Sequence, residues 1–179
     1  MNLLLTKENP SLMNAIAIRM GLFMMFGFII FFLIMYWMGY GSRGEFHLFN
    51  GVFQIYCLYR AIRTYYILNP EDILKGNYLY GVAQGLRTSV IGVGGFALFM
   101  TLFLYWDTEL MDSIRVSSSM GDSLNPFTSN LFILTEGLAI GLIVSYILTR
   151  LFEVASKMIK CSIFSYIHSG ITNNKVSVY

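Results

Sequence analysis

Four stretches of this chain are apolar for about 20 residues each, running roughly from Ala15 to Met38, Phe46 to Tyr66, Tyr80 to Trp106 and Phe127 to Leu151. At about 1.5 Å of rise per residue, a helix of that length crosses a hydrocarbon core of roughly 30 Å. The expected fold is therefore all-α, an integral membrane bundle of four transmembrane helices. Only 12% of the residues are charged, against about 25% in a soluble domain, while 56% are hydrophobic and the mean hydropathy is +0.61. The spans take up more than half the length, and the longest connection, from Asp107 to Asn125, is too short to build its own core. Residues 1–179 are expected to form one membrane domain.

Charge fixes the expected orientation. Cytoplasmic margins collect Lys and Arg, and placing the amino terminus inside puts Lys7, Arg19, Arg60, Arg63, Lys75, Arg87, Arg150, Lys157, Lys160 and Lys175 at or near that side. Only Arg43 and Arg115 then fall outside, together with the acids Glu45, Asp107, Glu109, Asp112 and Asp122. Both termini should be cytoplasmic, with Arg19, Arg60, Arg63 and Arg87 forming an inner basic rim. The net charge of +2 is spread along membrane margins rather than gathered on a soluble face, which argues against nucleic acid as a partner. Lys7 and Arg19 precede the first apolar run as in a signal peptide. That run is too long for a signal core and no small-residue cleavage site follows, so it is expected to stay as an anchor.

Turn signals separate the spans. Gly39, Gly41 and Gly44 allow a sharp reversal between the first two, which should pack as antiparallel neighbours. Asn69-Pro70-Glu71-Asp72 combines a capping residue, a first-turn proline and acids at the positive end of a helix dipole, so a short interfacial helix should lead into the third span. Asn125-Pro126 starts the fourth span after a polar loop containing Ser117, Ser118 and Ser119, expected to be mobile or to bind a partner. Beyond Arg150, Phe152, Ala155, Ile159, Ile163 and Ile167 recur at helical spacing with Lys157 and Lys160 elsewhere on the wheel. An amphipathic extension of the last helix, about residues 152–168, should lie along the cytoplasmic interface.

Small residues mark helix contacts. Gly81, Gly85 and Ser89 repeat every four residues in the third span, Gly92 follows, and Gly137 and Gly141 repeat the pattern in the fourth. Such ridges let backbones approach where lipid supplies no hydrophobic drive for association. They suit packing within the bundle, self-association or docking to another subunit. The cluster from Gly92 to Gly95 can also soften the third helix midway.

Glu136 is the one acid well inside a span, where an ionised carboxylate costs on the order of 3 kcal/mol or more. His47, Asn50 and Gln54 enter the second span from the same side, so the four can form an intramembrane polar cluster if spans two and four touch. A Glu and His pair can relay protons or hold a cation, whereas a protonated Glu bonded to Asn or Gln merely locks helices together. Glu153, level with the basic rim, is the expected partner of Arg19 or Arg87. No cofactor or metal is expected: His47 and His168 lie at opposite ends, Cys57 and Cys161 are far apart, and no catalytic constellation falls at one depth. The methionines of the first span, Met20, Met24, Met25, Met35 and Met38, suit adaptable packing better than copper.

At Asn69-Pro70-Glu71, followed by Gly76, Tyr80, Gly81 and Gly85, the chain resembles the four-transmembrane-helix integral membrane proteins of unknown function found in Bacteroidota. The resemblance implies a multi-pass protein of the bacterial cytoplasmic (inner) membrane and carries no activity or site residues. Together these features lead to a non-enzymatic accessory or structural subunit of a larger inner-membrane assembly, docked through the small-residue faces of spans three and four. The alternative is a small oligomeric transporter or channel whose protomers meet around Glu136. The expected partners are the lipid bilayer and either other membrane subunits or further copies of the chain.

Overall fold

The computed structural model describes residues 10–40, 47–74, 77–117 and 124–174, with side chains up to Met158 apart from those at 10, 12, 47–49, 73, 74 and 117. The described chain is helical with short turns: α1 (Pro10–Trp37), α2 (His47–Leu68), α3 (Pro70–Leu74), α4 (Tyr78–Trp106), α5 (Thr108–Ser117) and α6 (Pro126–Asn174). Three helices, α1, α4 and α6, are long and apolar enough to cross a membrane. The protein is thus a multi-pass helical membrane protein. The second expected span forms α2, whose 22 residues reach about 33 Å, but Asn50, Gln54, Arg60 and Arg63 make it less apolar than the other three.

The helix ends follow local chemistry. Gly39 adopts φ +78, and its N–H bonds Tyr36 O while Tyr40 N–H bonds Met35 O, closing α1 with the paired bonds of a Schellman turn. At the start of α6, Asn125 Oδ1 accepts from Thr128 N–H and Thr128 Oγ1 accepts from Asn125 N–H, both at 2.8 Å. Two first-turn donors are satisfied reciprocally, as in a capping box, with Pro126 in the first helical position. The Asn69-Pro70 signal yields the short helix α3, anchored where Tyr65 donates to Asp72.

Helix α4 is the hub of the bundle, packed by α1, α2 and α6. It runs parallel to α1: Gly21 approaches Ile91, Met24 meets Gly92, and Phe28, Phe32 and Tyr36 follow Phe96, Phe99 and Phe103 towards one end. It runs antiparallel to α6. A methyl group on Gly137 would fall 2.6 Å from Val93 Cγ1, one on Gly141 2.7 Å from Ser89 Cβ, one on Gly85 2.6 Å from Ser145 Cβ, and one on Gly81 2.8 Å from Thr149 Oγ1. Each step of four residues up one helix is a step of four down the other. The small-residue ridges of the third and fourth spans are therefore buried against each other, so they are not the free docking faces expected from sequence.

The glycines from 92 to 95 do not interrupt α4, which is continuous from Tyr78 to Trp106. Gly92 and Gly95 instead admit the side chains of Met24 and Met25 from α1, the close approach for which an absent Cβ is useful. Nor is the connection from Asp107 to Asn125 a plain loop. Its first half is α5, whose Leu110 and Met111 are buried with Leu104 and Leu124 in the core cluster at that end. Ser118 and Ser119 lie outside the described residues. Helix α6 passes through Leu151, where the fourth span was expected to give way to an interfacial segment, and continues as one helix to Asn174. The side chains that would define its amphipathic face lie beyond the described ones.

Candidate functional site

Charge separates the two ends of the bundle. At the α3 end, Arg150 pairs with Glu153 at 2.7 Å and its guanidinium stacks over the Tyr78 ring at 4.4 Å. Lys157 pairs with the same carboxylate at 2.7 Å. Glu153 thus finds both partners on its own helix, one turn either side, rather than at Arg19 or Arg87. Arg87 instead reaches α1, with Nη1 3.4 Å from Asn14 Oδ1 and 3.9 Å from Met13 Sδ. Arg19, Arg60 and Arg63 are exposed on the same third of the bundle, and Arg63 lies over the Tyr59 ring at 5.9 Å.

The other end carries Asp107, Glu109 and Asp112, with Arg115 as its one described cation, and both tryptophans. Trp37 and Trp106, which end α1 and α4, are 94% and 91% exposed, where amphipathic rings anchor a helix at headgroup level. Next to them, Asp107 closes α4 and opens α5. Its Oδ2 accepts from Tyr36 and its Oδ1 from Leu110 N–H at 3.0 Å. The Tyr36 hydroxyl, and after it the Leu110 N–H, hold the Asp107 carboxyl below the usual carboxylate range. Arg115 on α5 pairs with Asp112 at 3.0 Å and donates to Leu124 O at 2.9 Å, tying the connection back to the start of α6.

Between an aromatic core at the tryptophan end and a tyrosine-rich cluster at the α3 end lies a belt of buried polar side chains. Gln54, Gln84, Thr88, Ser89 and Ser145 are all buried within it. Gln54 Nε2 donates to Gly137 O at 2.8 Å, Thr88 to Gln84 O at 2.9 Å and Ser145 to Gly141 O at 2.6 Å. Among the described residues, neither amide atom of Gln84 has a hydrogen-bond partner, and nor does Ser89 Oγ. The belt offers hydrogen-bond donors and acceptors, and none of these five side chains exchanges protons near neutral pH. Among the described residues, no three His, Cys, Asp or Glu side chains come together in a way that could hold a metal ion.

The expected polar cluster is only partly assembled. Gln54 does reach α6, confirming that α2 and α6 touch, but it bonds the backbone of Gly137 and not Glu136. Asn50 is half-buried, and the His47 side chain lies outside the described residues. Glu136 is exposed on the opposite face of α6, with no hydrogen bond or ion pair to any described residue. Its neighbours one and two turns away, Phe132 and Ile143, are exposed as well, at 58% and 59%. The contact between Gly137 and Val93 sets its depth. Val93 lies 15 residues from Tyr78 and 13 from Trp106, about 20 Å from either end of α4, so this carboxyl group stands level with the middle of α4 on the outer surface of the bundle.

Sequence reasoning overlooked Gln84, Thr88, Ser145 and Thr149. Ser145 and Thr149 simply continue the four-residue spacing of Gly137 and Gly141, a signal that was available. Comparison with protein-family models, curated proteins and solved structures finds no match to the chain.

Proposed function

We propose that the protein is a non-enzymatic accessory or structural subunit of a larger assembly in the bacterial inner membrane. In this reading α2 crosses the bilayer with α1, α4 and α6, and both termini lie in the cytoplasm. The basic α3 end against the acidic, tryptophan-bearing end supports that orientation, and the resemblance in layout supports the location. The observation that carries the subunit reading is Glu136, an exposed carboxyl group on α6 that stands level with the middle of α4. Groups of this kind avoid lipid and face other protein or a water-filled path. The docking face is accordingly the Glu136 side of α6, since the ridge of Gly81, Gly85 and Ser89 is already occupied by Gly141, Ser145 and Thr149 of the same chain.

The same observation also supports the alternative, in which copies of this chain surround Glu136 and form a path between protomers. Purification from native membranes in mild detergent, with mass spectrometry of what co-elutes, separates the two. A stoichiometric set of other membrane proteins is the result expected of an accessory subunit. A homo-oligomer alone, whose ion or solute flux is abolished by Glu136→Gln, would replace that reading with the transporter.

A further inference from the structure

The α6 surface around Glu136 has a defined chemistry. Thr135, Glu136 and Ala139 form a small and polar spot, all exposed, flanked by the exposed apolar side chains of Phe132, Ile143 and Ile147. Thr135 Oγ1, on an exposed residue beside Glu136, donates to Leu131 O at 2.8 Å and keeps lone pairs that can accept. The spot is thus made of acceptors, set in a stripe that lipid or another helix would cover.

Among the described residues, no cation of this chain stands at that depth. Arg87, on α4, is seven residues from the Gly94 level of Glu136, about 10 Å nearer the basic end, and it is engaged with Asn14 and Met13. Arg150 is held by Glu153 at that end, and Arg115 is tied to Asp112 and Leu124 at the other. A second copy inserted in the same orientation would therefore bring like charge against like charge, which repel. A side chain of opposite charge removes the conflict, because a pair shielded from water is bound more strongly than one at the surface.

We infer that the Phe132–Ile147 face of α6 docks a transmembrane helix of another subunit that carries a lysine or arginine near mid-bilayer. The cation bonds Glu136 and accepts Thr135 as a second ligand, while Ala139 permits the close approach that small residues give to helix pairs. The inference rests on the accessory-subunit reading and specifies the partner's chemistry.

The test uses the full chain, donor-labelled at its amino terminus and reconstituted in phosphatidylcholine vesicles, with acceptor-labelled leucine-rich helices of about 22 residues. Three helices are compared, with Lys, Leu or Glu at the centre. Energy transfer should show the Lys helix bound at least about tenfold more tightly than the Leu helix, and Glu136→Gln should abolish that preference while circular dichroism stays unchanged. Equal binding of the Lys and Leu helices, or a Lys preference that survives Glu136→Gln, would overturn the inference. So would Glu136-dependent transfer between two labelled copies of the chain without any Lys preference, which would identify a second copy as the occupant. Native subunits that co-purify equally with the Glu136→Gln protein would leave the accessory reading standing and remove only this one.

Discussion

Gly85 and Gly94 sit nine residues apart on one helix, yet an added methyl group meets opposite circumstances at the two. At Gly85 it lands on Ser145 and forces α4 and α6 apart, whereas at Gly94 nothing lies within 4 Å. Gly85→Ala should therefore lower stability by about 1–3 kcal/mol, the usual range for overpacking, while Gly94→Ala is neutral or slightly stabilising through its helix propensity. Thermal unfolding in detergent checks both. The buried glutamines form a second contrast. Gln54→Met loses the bond to Gly137 O, worth about 1 kcal/mol. Gln84→Met removes an amide with no partner and should leave the midpoint unchanged or raise it. The four-residue spacing of Gly81, Gly85 and Ser89 was legible as a contact ridge because small residues are rare enough to show a period. The direction of Glu136 was not. In lipid, apolar residues cover both the packed and the outward faces of α6, so periodicity loses the inside-outside information it carries in water.

Capping signals were the most readable features of the helices, because they depend on a few adjacent residues. Asn125→Ala removes half of the reciprocal cap on α6 and should cost about 1 kcal/mol, measurable in the same unfolding assay. The acidic connection was harder to read. Leu110, Met111 and Ile114 mark one face of α5, but ten residues hold too few turns to stand out beside spans of about 20. Asp107 joins α5 to the bundle, and its depressed folded-state pKa fixes the sign of a pH effect. The Tyr36 and Leu110 bonds favour the ionised form, so their contribution is complete above the unfolded value of about 3.9. It is lost as the pH falls through the lower folded-state value. Acid titration of tryptophan fluorescence should show loosening around Trp106 below about pH 4, and Tyr36→Phe should move that transition to higher pH. A signal equally steady in both proteins down to pH 2 would contradict the role given to Asp107.

At the scale of the whole molecule, the proposed four crossings would set α3 and the basic rim on one side and α5 on the other. Length made α1, α4 and α6 plain in the sequence. Helix α2 is the difficult element, since Gln54 and its two arginines dilute its apolar character while its length still suffices. It lies along α1, α4 and α6, with Phe53 against Phe23 and Phe28 towards one end and Ile62 near Gly85 towards the other. That placement is what a crossing helix requires, and the depth assigned to Glu136 depends on the bundle standing upright in the bilayer. Thiol labelling from one side of sealed membrane vesicles decides the matter most directly. Single cysteines are introduced at Ser42, Glu71 and Asp112 in a Cys57→Ala, Cys161→Ala background and challenged with an impermeant reagent. The account predicts that Ser42→Cys and Asp112→Cys react together, from the side opposite to Glu71→Cys. Reaction of Ser42→Cys from the same side as Glu71→Cys would mean that α2 does not cross, and would contradict the four-span bundle.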